Sequence, residues 1–286
     1  MQCSGPIFVR KSGFAGLVFA FHRMWIAAVV YLVISVARGA APTLRSIRLS
    51  TPGGLWFAFN VATFFVAVGN TTIANATVIG ALQPITLMLV ANRLFGERVR
   101  RADLVLTVLA VSGVALVVFG RAATGSSDRL GDLCAFASML GFAAYYISSK
   151  KARATLGTLE YQTSLTLVAA AALGVVVAIS GNDLAAPRAS SWGWAFAMVA
   201  LPGTGHLLTN FAHAHVRLGV LGVLTLFSPV GSTFLAWLVL GETLSGWQVV
   251  GMAVVVSSLA AIVVTSARAA PRASTRTDPP RRAPTG

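Results

Sequence analysis

Two stretches decide the reading of this chain: "QPITLMLVANRLFGE", Gln83 to Glu97, and "SPVGSTFLAWLVLGE", Ser228 to Glu242. Each has proline at its second position, runs on almost without charge, and closes on Gly-Glu. The copies lie 145 residues apart, and continuing the same shift from Gly96 and Glu97 onto Gly241 and Glu242 also pairs Ser112 with Ser257. An apolar run of this kind, repeated, is the unit from which the rest of the sequence is understood.

Working outward, apolar segments fill the chain at about 14–37, 55–73, 75–95, 102–120, 131–149, 158–180, 192–213, 218–240 and 246–266. Gly, Pro and charge clusters such as "GERVRRAD" and "GNDLAAPRASS" separate them. Crossing the hydrocarbon takes about 20 apolar residues per helix, so the chain has room for roughly nine spans with short loops. With 56% hydrophobic and 10% charged residues and a mean hydropathy of +0.78, it lacks the polar surface of a soluble globule. The fold expected is an all-α, polytopic membrane helix bundle.

The formal net charge of +14 arises from cations placed between apolar segments and in the tail. No basic face interleaved with aromatics points to nucleic acid. Topology and anionic lipids beside the basic loops account for the charge. Counted loop by loop, sixteen cations fall on one side, with Arg38, Lys150, Arg217 and the tail among them, and five on the other. The bias places the C-terminus in the cytoplasm of a cell membrane protein and the first residues outside. The last residues, 267–286, are rich in Pro and Arg and read as a disordered tail. The first segment is too long, and too interrupted by His22-Arg23, for a cleaved leader. Cys3 and Cys134 have no metal-ligand spacing, and neither a disulfide, a metal site nor a cofactor is expected.

Gln83 falls in the third segment and Ser228 in the eighth, and an odd separation of five helices turns the second copy upside down. Inverted halves that exchange conformations give one site access to each side of a membrane in turn, which is the logic of a secondary transporter.

The residues "LQPITLMLVANRLFGERVRRADLVLTVLAVSGVALVVFG" and "LFSPVGSTFLAWLVLGETLSGWQVVGMAVVVSSLAAIVV", with "GDLCAFASMLGFAAYYISSKKAR" opening the second half, resemble the EamA type of the drug/metabolite transporter superfamily. The resemblance covers about residues 5–266. It implies five plus five helices as an inverted repeat, with a first repeat at 5–120 and a second at 130–266. It also implies export of amino acids or other small metabolites. The stretch "GPIFVRKSGFAGLVFAFHRMW" resembles the end of the family's first helix running into its second. A helix is therefore expected to be missing before Met1, through an upstream start codon or genuine loss. A membrane protein of this fold that no longer transports is the second reading. An intramembrane enzyme is disfavoured by the absence of H-E-x-x-H, G-x-S-x-G and paired midplane carboxylates.

Candidate pocket residues follow from polarity inside the spans. Pro84 and Pro229 stand near the midplane of their segments, each removing a backbone donor and freeing a carbonyl near Gly80 and Thr225. Gln83 and Ser228 precede them. Arg23 is a guanidinium inside a span, poised either to meet an anionic substrate group or to snorkel to the interface. His206, Thr209 and Asn210 share one helix face, with His206 a proton carrier or a hydrogen-bonded structural residue. Asn60, Asn70, Tyr145 and Tyr146 join them, while the two tyrosines equally suit an interfacial anchor. His213 and His215 are expected to be solvated. Glu97 and Glu242 are expected to be structural, Glu97 compensated by Arg93, Arg98, Arg100 and Arg101, and Glu242 starting the next helix near Thr243 to Gly246. No carboxylate marks a midplane, so a neutral or anionic small molecule is favoured as substrate. Nothing in the sequence bears on oligomeric state.

Overall fold

The computed structural model describes residues 8, 11–97, 99–120, 128–184, 188–241 and 243–269. Among these, α-helices carry the fold and no strand occurs. The first half holds α1 (Gly16–Ala37), α2 (Leu44–Asn70), α3 (Ile73–Gly80), α4 (Gln83–Phe95) and α5 (Arg101–Phe119). The second holds α6 (Arg129–Arg153), α7 (Thr158–Ser180), α8 (Ser190–Met198), α9 (Thr204–Ala212), α10 (Leu218–Leu224), α11 (Phe227–Leu240) and α12 (Gly246–Ala269). A π-helical turn at Val199–Gly203 joins α8 to α9. Eight stretches are long and apolar enough to cross a bilayer, with α3–α4 forming one and α10–α11 another. The α8–α9 rod, broken in its middle and carrying the polar run from Thr204 to Asn210, is not among these eight.

The breaks have local causes. Pro84 and Pro229 each lie in the first turn of the second piece, where a missing N–H is harmless. The turn ahead of each tightens: Leu82 N–H donates to the Ile79 carbonyl at 3.1 Å, and Leu226 N–H to that of Val223 at 3.0 Å. The carbonyl expected to be freed at Thr225 is not free, since it accepts Ser228 N–H at 2.9 Å. In α8–α9 the break falls at Pro202, within "LPGTG". The Gly-Glu endings are explained by the cap: Gly96 and Gly241 take left-handed conformations at φ 63° and 65°, which stop α4 and α11 where a side chain would be strained.

One boundary departs from the apolar pattern. The second segment was expected from about residue 55, but α2 begins at Leu44, because Thr43 and Ser46 form a reciprocal capping box, Ser46 N–H donating to Thr43 Oγ1 at 3.1 Å and Thr43 N–H to Ser46 Oγ at 2.9 Å. Likewise α12 runs on to Ala269, and residues 270–286 of the expected tail lie outside the described residues.

The bundle is apolar outward and carries small and polar groups inward. Ile179, 81% exposed, is one of many large side chains facing out, while Ser46, Ser50, Thr163, Ser164 and Asn210 are fully buried. The α2 rod packs on α6 and α7, α1 on α7, and α5 on α12. α4 crosses α10 antiparallel: a side chain at Gly219 would meet Met88, and one at Gly222 would meet Pro84 and Leu87. The first copy of the repeated motif thus runs opposite to α10, which leads into the second copy within one span.

The α5–α12 crossing sets a test of this packing. A Cβ added at Gly251 would stand 2.6 Å from the Gly113 carbonyl oxygen and 2.8 Å from Val117 N, both backbone atoms that cannot step aside. Gly251→Val is expected to cost about 1–3 kcal/mol by overpacking, read as a lowered thermal unfolding midpoint of the detergent-solubilised protein. An unchanged midpoint would refute the close crossing.

Candidate functional site

Residues from both halves line a partly open cleft whose free volume in this conformation is about 20 Å³, room for roughly one water. Helical spacing brings Arg23, Ala27 and Tyr31 onto one face of α1, and all three line it together with Met24. Phe57 of α2 and Tyr145 of α6 close one side. Gln162, Leu165 and Thr166 of α7 form another, and the broken rod contributes Met198, Val199, Gly203 and His206. The loosened turn at Pro202 therefore sits in the cavity wall.

Arg23 does not snorkel. Its guanidinium lies 5.9 Å from the Phe57 ring centroid, and its Nη2 is 3.5 Å from His206 Nε2. Arginine only donates, so Nε2 of His206 is the acceptor and its ring proton belongs on Nδ1. The His206 ring stands edge-on to Phe57 at 5.5 Å. Tyr145 and Tyr146 are buried, 0% and 2% exposed, and do not act as interfacial anchors.

Beside the cavity, Asn210 ties three helices together. Tyr145 Oη donates to its Oδ1 at 3.0 Å, its Nδ2 donates to Gln162 Oε1 at 2.6 Å, and its carbonyl accepts Arg153 Nε at 2.8 Å. Arg153 also donates to the Leu156 carbonyl and, at 2.7 Å, to Thr158 Oγ1. Since every polar atom of the Asn210 side chain has a partner in a dry setting, the residue fixes Tyr145 and Gln162 in place.

The remaining sequence candidates lie apart from the cavity lining. Asn60 pins α2 to α6, its Nδ2 donating to the Ser138 carbonyl at 2.9 Å and to Ser138 Oγ at 2.8 Å. Asn70 turns back on α2, Nδ2 to the Val66 carbonyl at 2.7 Å. Thr209 shares the helix face with His206 but donates to the Gly205 carbonyl at 2.9 Å. Pro84 packs at the α4–α10 crossing, and the buried Gln83 beside it leaves Nε2 without a hydrogen-bond partner. Ser228 and Pro229 are half-buried in the first turn of α11. Glu242 lies outside the described residues.

Glu97 is partnered differently from the expectation. Arg93 and Arg101 are exposed, Arg100 donates to the Thr265 carbonyl at 3.1 Å, and Arg98 lies outside the described residues. The compensating cation is Lys150 of α6, which pairs with Glu97 Oε1. The same carboxylate accepts Leu218 N–H at 2.8 Å and Gly219 N–H at 3.2 Å, capping α10. An anion at a helix N-terminus is favoured by the dipole, which resolves its awkward position just past the C-terminus of α4. His213 is also corrected: it is 1% exposed, edge-on to Tyr146 at 4.7 Å, and neither ring nitrogen has a partner.

Reading the sequence missed Tyr31, Phe57, Gln162 and Thr166. A signal for two of them was present in "YQTSLT", Tyr161 to Thr166, a run of uncharged polar side chains inside an apolar segment.

Known proteins agree with this architecture. One curated relative is 23% identical over 254 residues, 88% of each chain, and is described as an uncharacterized transporter of Archaeoglobus fulgidus. A solved structure, described only as a crystal structure of a protein, superposes with TM-score 0.81 at 22% identity and covers 93% of this chain and 94% of its own, which shows a shared fold. The model of the EamA-like transporter family matches residues 4–119 and again 129–264. With two successive matches to one family model covering most of its length, this multispanning chain belongs to the EamA-like transporter family.

Proposed function

We propose that the protein is a secondary transporter of the cytoplasmic membrane that exports small metabolites by alternating access, coupled to protons or to exchange, and that the Arg23 cavity holds the substrate. The observation that carries this is the origin of the cavity wall. Side chains of α1 and α2 from one half meet those of α6, α7 and the α8–α9 rod from the other. Movement of one half against the other would change which side the cavity faces. Binding and passage need no catalytic group, cofactor or metal in this scheme.

Closure at one end fits the same reading. Glu97, just beyond α4, grips Lys150 of α6 and the first amides of α10 together, so elements of both halves are fastened where the charge bias puts the cytoplasm. Export would require this fastening to open for loading and to reform as the cavity turns outward. The basic loops and the tail on that side would rest against anionic lipid.

Efflux from cells or uptake into inverted membrane vesicles, with a panel of labelled metabolites, is the direct test. Arg23→Gln is expected to reduce transport roughly tenfold or more through loss of a charge-assisted contact. Transport equal to that of the unaltered chain would remove the cavity from the pathway. Counterflow in the absence of a proton gradient separates exchange from proton coupling.

For the fastening, Glu97→Gln is expected to destabilise the protein by about 1–3 kcal/mol and to slow transport. The exchange Glu97→Lys with Lys150→Glu restores the ion pair, but lysine cannot accept the α10 amides. Partial recovery of the unfolding midpoint is the expected result, and full recovery would show that capping of α10 contributes nothing.

A further inference from the structure

Resting on the transport reading of the Arg23 cavity, we propose that its ligand is a small organic acid with a single carboxylate and an apolar or aromatic body, and that it discriminates against amino acids of the same shape.

The cavity offers donors in excess of acceptors. A guanidinium carries five N–H donors in a fork that matches a carboxylate. Among the described residues, that of Arg23 has one hydrogen bond, the 3.5 Å contact with His206, and no ion pair. Gln162 shares the wall, and its Oε1 is taken by Asn210 while its Nε2 has no partner among the described residues. The Tyr31 hydroxyl is a third unengaged donor on the same wall.

No anion answers them. The chain has eight acids. Those in the described residues stand at helix ends: Glu97, Asp103, Asp128, Asp132, Glu160 and Asp183. None lines the cavity, and Glu97 is committed to Lys150 and α10. A guanidinium in a membrane span without a counter-ion is costly, and three donors lining one cleft, which must widen to admit a ligand, are best satisfied by an acceptor-only group. A carboxylate on the ligand supplies the missing charge and takes two parallel bonds from Arg23, with Gln162 and Tyr31 at its edges.

The rest of the wall selects the body and rejects the zwitterion. Met24, Phe57, Leu165, Met198 and Val199 are apolar and suit a ring or short aliphatic chain. An α-ammonium is held next to its own carboxylate, so docking the carboxylate on Arg23 brings two like charges together. With no carboxylate in the lining to neutralise it, that arrangement is disfavoured.

The test is calorimetric titration of the purified full-length chain in nanodiscs with phenylpyruvate, phenylacetate, phenylalanine and phenethylamine. These share a ring and differ in the charged end. The two acids are expected to bind roughly tenfold or more tightly than phenylalanine, with no saturable binding of phenethylamine. Arg23→Gln should weaken phenylpyruvate roughly tenfold, with Arg23→Lys between the two because an ammonium lacks the fork. Phenylalanine binding as tightly as phenylpyruvate, saturable binding of phenethylamine, no saturable binding of either acid, or Arg23→Gln leaving phenylpyruvate unaffected would each overturn the proposal. The ligand comparison uses the unaltered chain, so a variant that fails to fold does not blunt it. Binding of the acids without their counterflow in proteoliposomes would uphold the anion site and remove the transport reading.

Discussion

A backbone group that loses its helical partner inside hydrocarbon has no water to turn to, and among the described residues three apolar rods are broken. At Pro84 and Pro229 the preceding turn narrows, with amides reaching back three residues to the carbonyls of Ile79, Leu82, Val223 and Thr225. At Pro202 the opposite solution is used, a widened π turn, with Thr204 Oγ1 donating to the Ala200 carbonyl at 2.5 Å. Two of the breaks are met by close neighbours or a cavity: Pro84 against Gly222 of α10, and the π turn in the wall beside Arg23. One tightened turn thus lies at the contact between the halves, and the widened turn lies in the cavity wall.

The charged side chains divide by how completely they are satisfied. Glu97 has a cation and two backbone amides, and Arg153 has a carbonyl from each of two segments and a hydroxyl. Such groups hold the structure together. Arg23 has one long contact to a neutral ring and an aromatic face. Buried donors in a native fold are nearly always paired, so a set left open around a cavity is better explained by a ligand than by packing. This contrast separates binding candidates from structural ones more sharply than position along a span does.

The parts of this molecule legible from sequence are those with a covalent mark. Proline, Gly-Glu endings and a lone guanidinium stand out against an apolar alphabet, and they locate the helix breaks, the left-handed caps and Arg23. Helical spacing also put His206, Thr209 and Asn210 on one face. Three residues on a face need not share a task, however: His206 reaches the cavity, Asn210 bridges Tyr145 and Gln162, and Thr209 bonds its own helix. The pairing of Glu97 with Lys150 was not legible, because 53 residues separate them and four nearer arginines offered the same charge. Tyr31 and Phe57 leave no trace in an apolar run, since only the packing of α1 on its neighbours turns them inward.

The prolines illustrate why a midplane break and a binding residue are different things. Neither Pro84 nor Pro229 lines the Arg23 cavity, and the carbonyl released at Thr225 is reclaimed by Ser228. What the second break leaves is a short rod, α10, separated from α11 by one tightened turn, gripped at its start by Glu97 and crossed at Gly222 by Pro84 of the opposite half. In the proposed cycle, releasing Glu97 frees that rod to tilt without disturbing the anchored remainder of the span. A continuous helix would have to carry its whole length along, against every contact it makes. In that cycle the repeated proline would make one end of the bundle separable from the middle, where the cavity would keep its shape while the ends exchange.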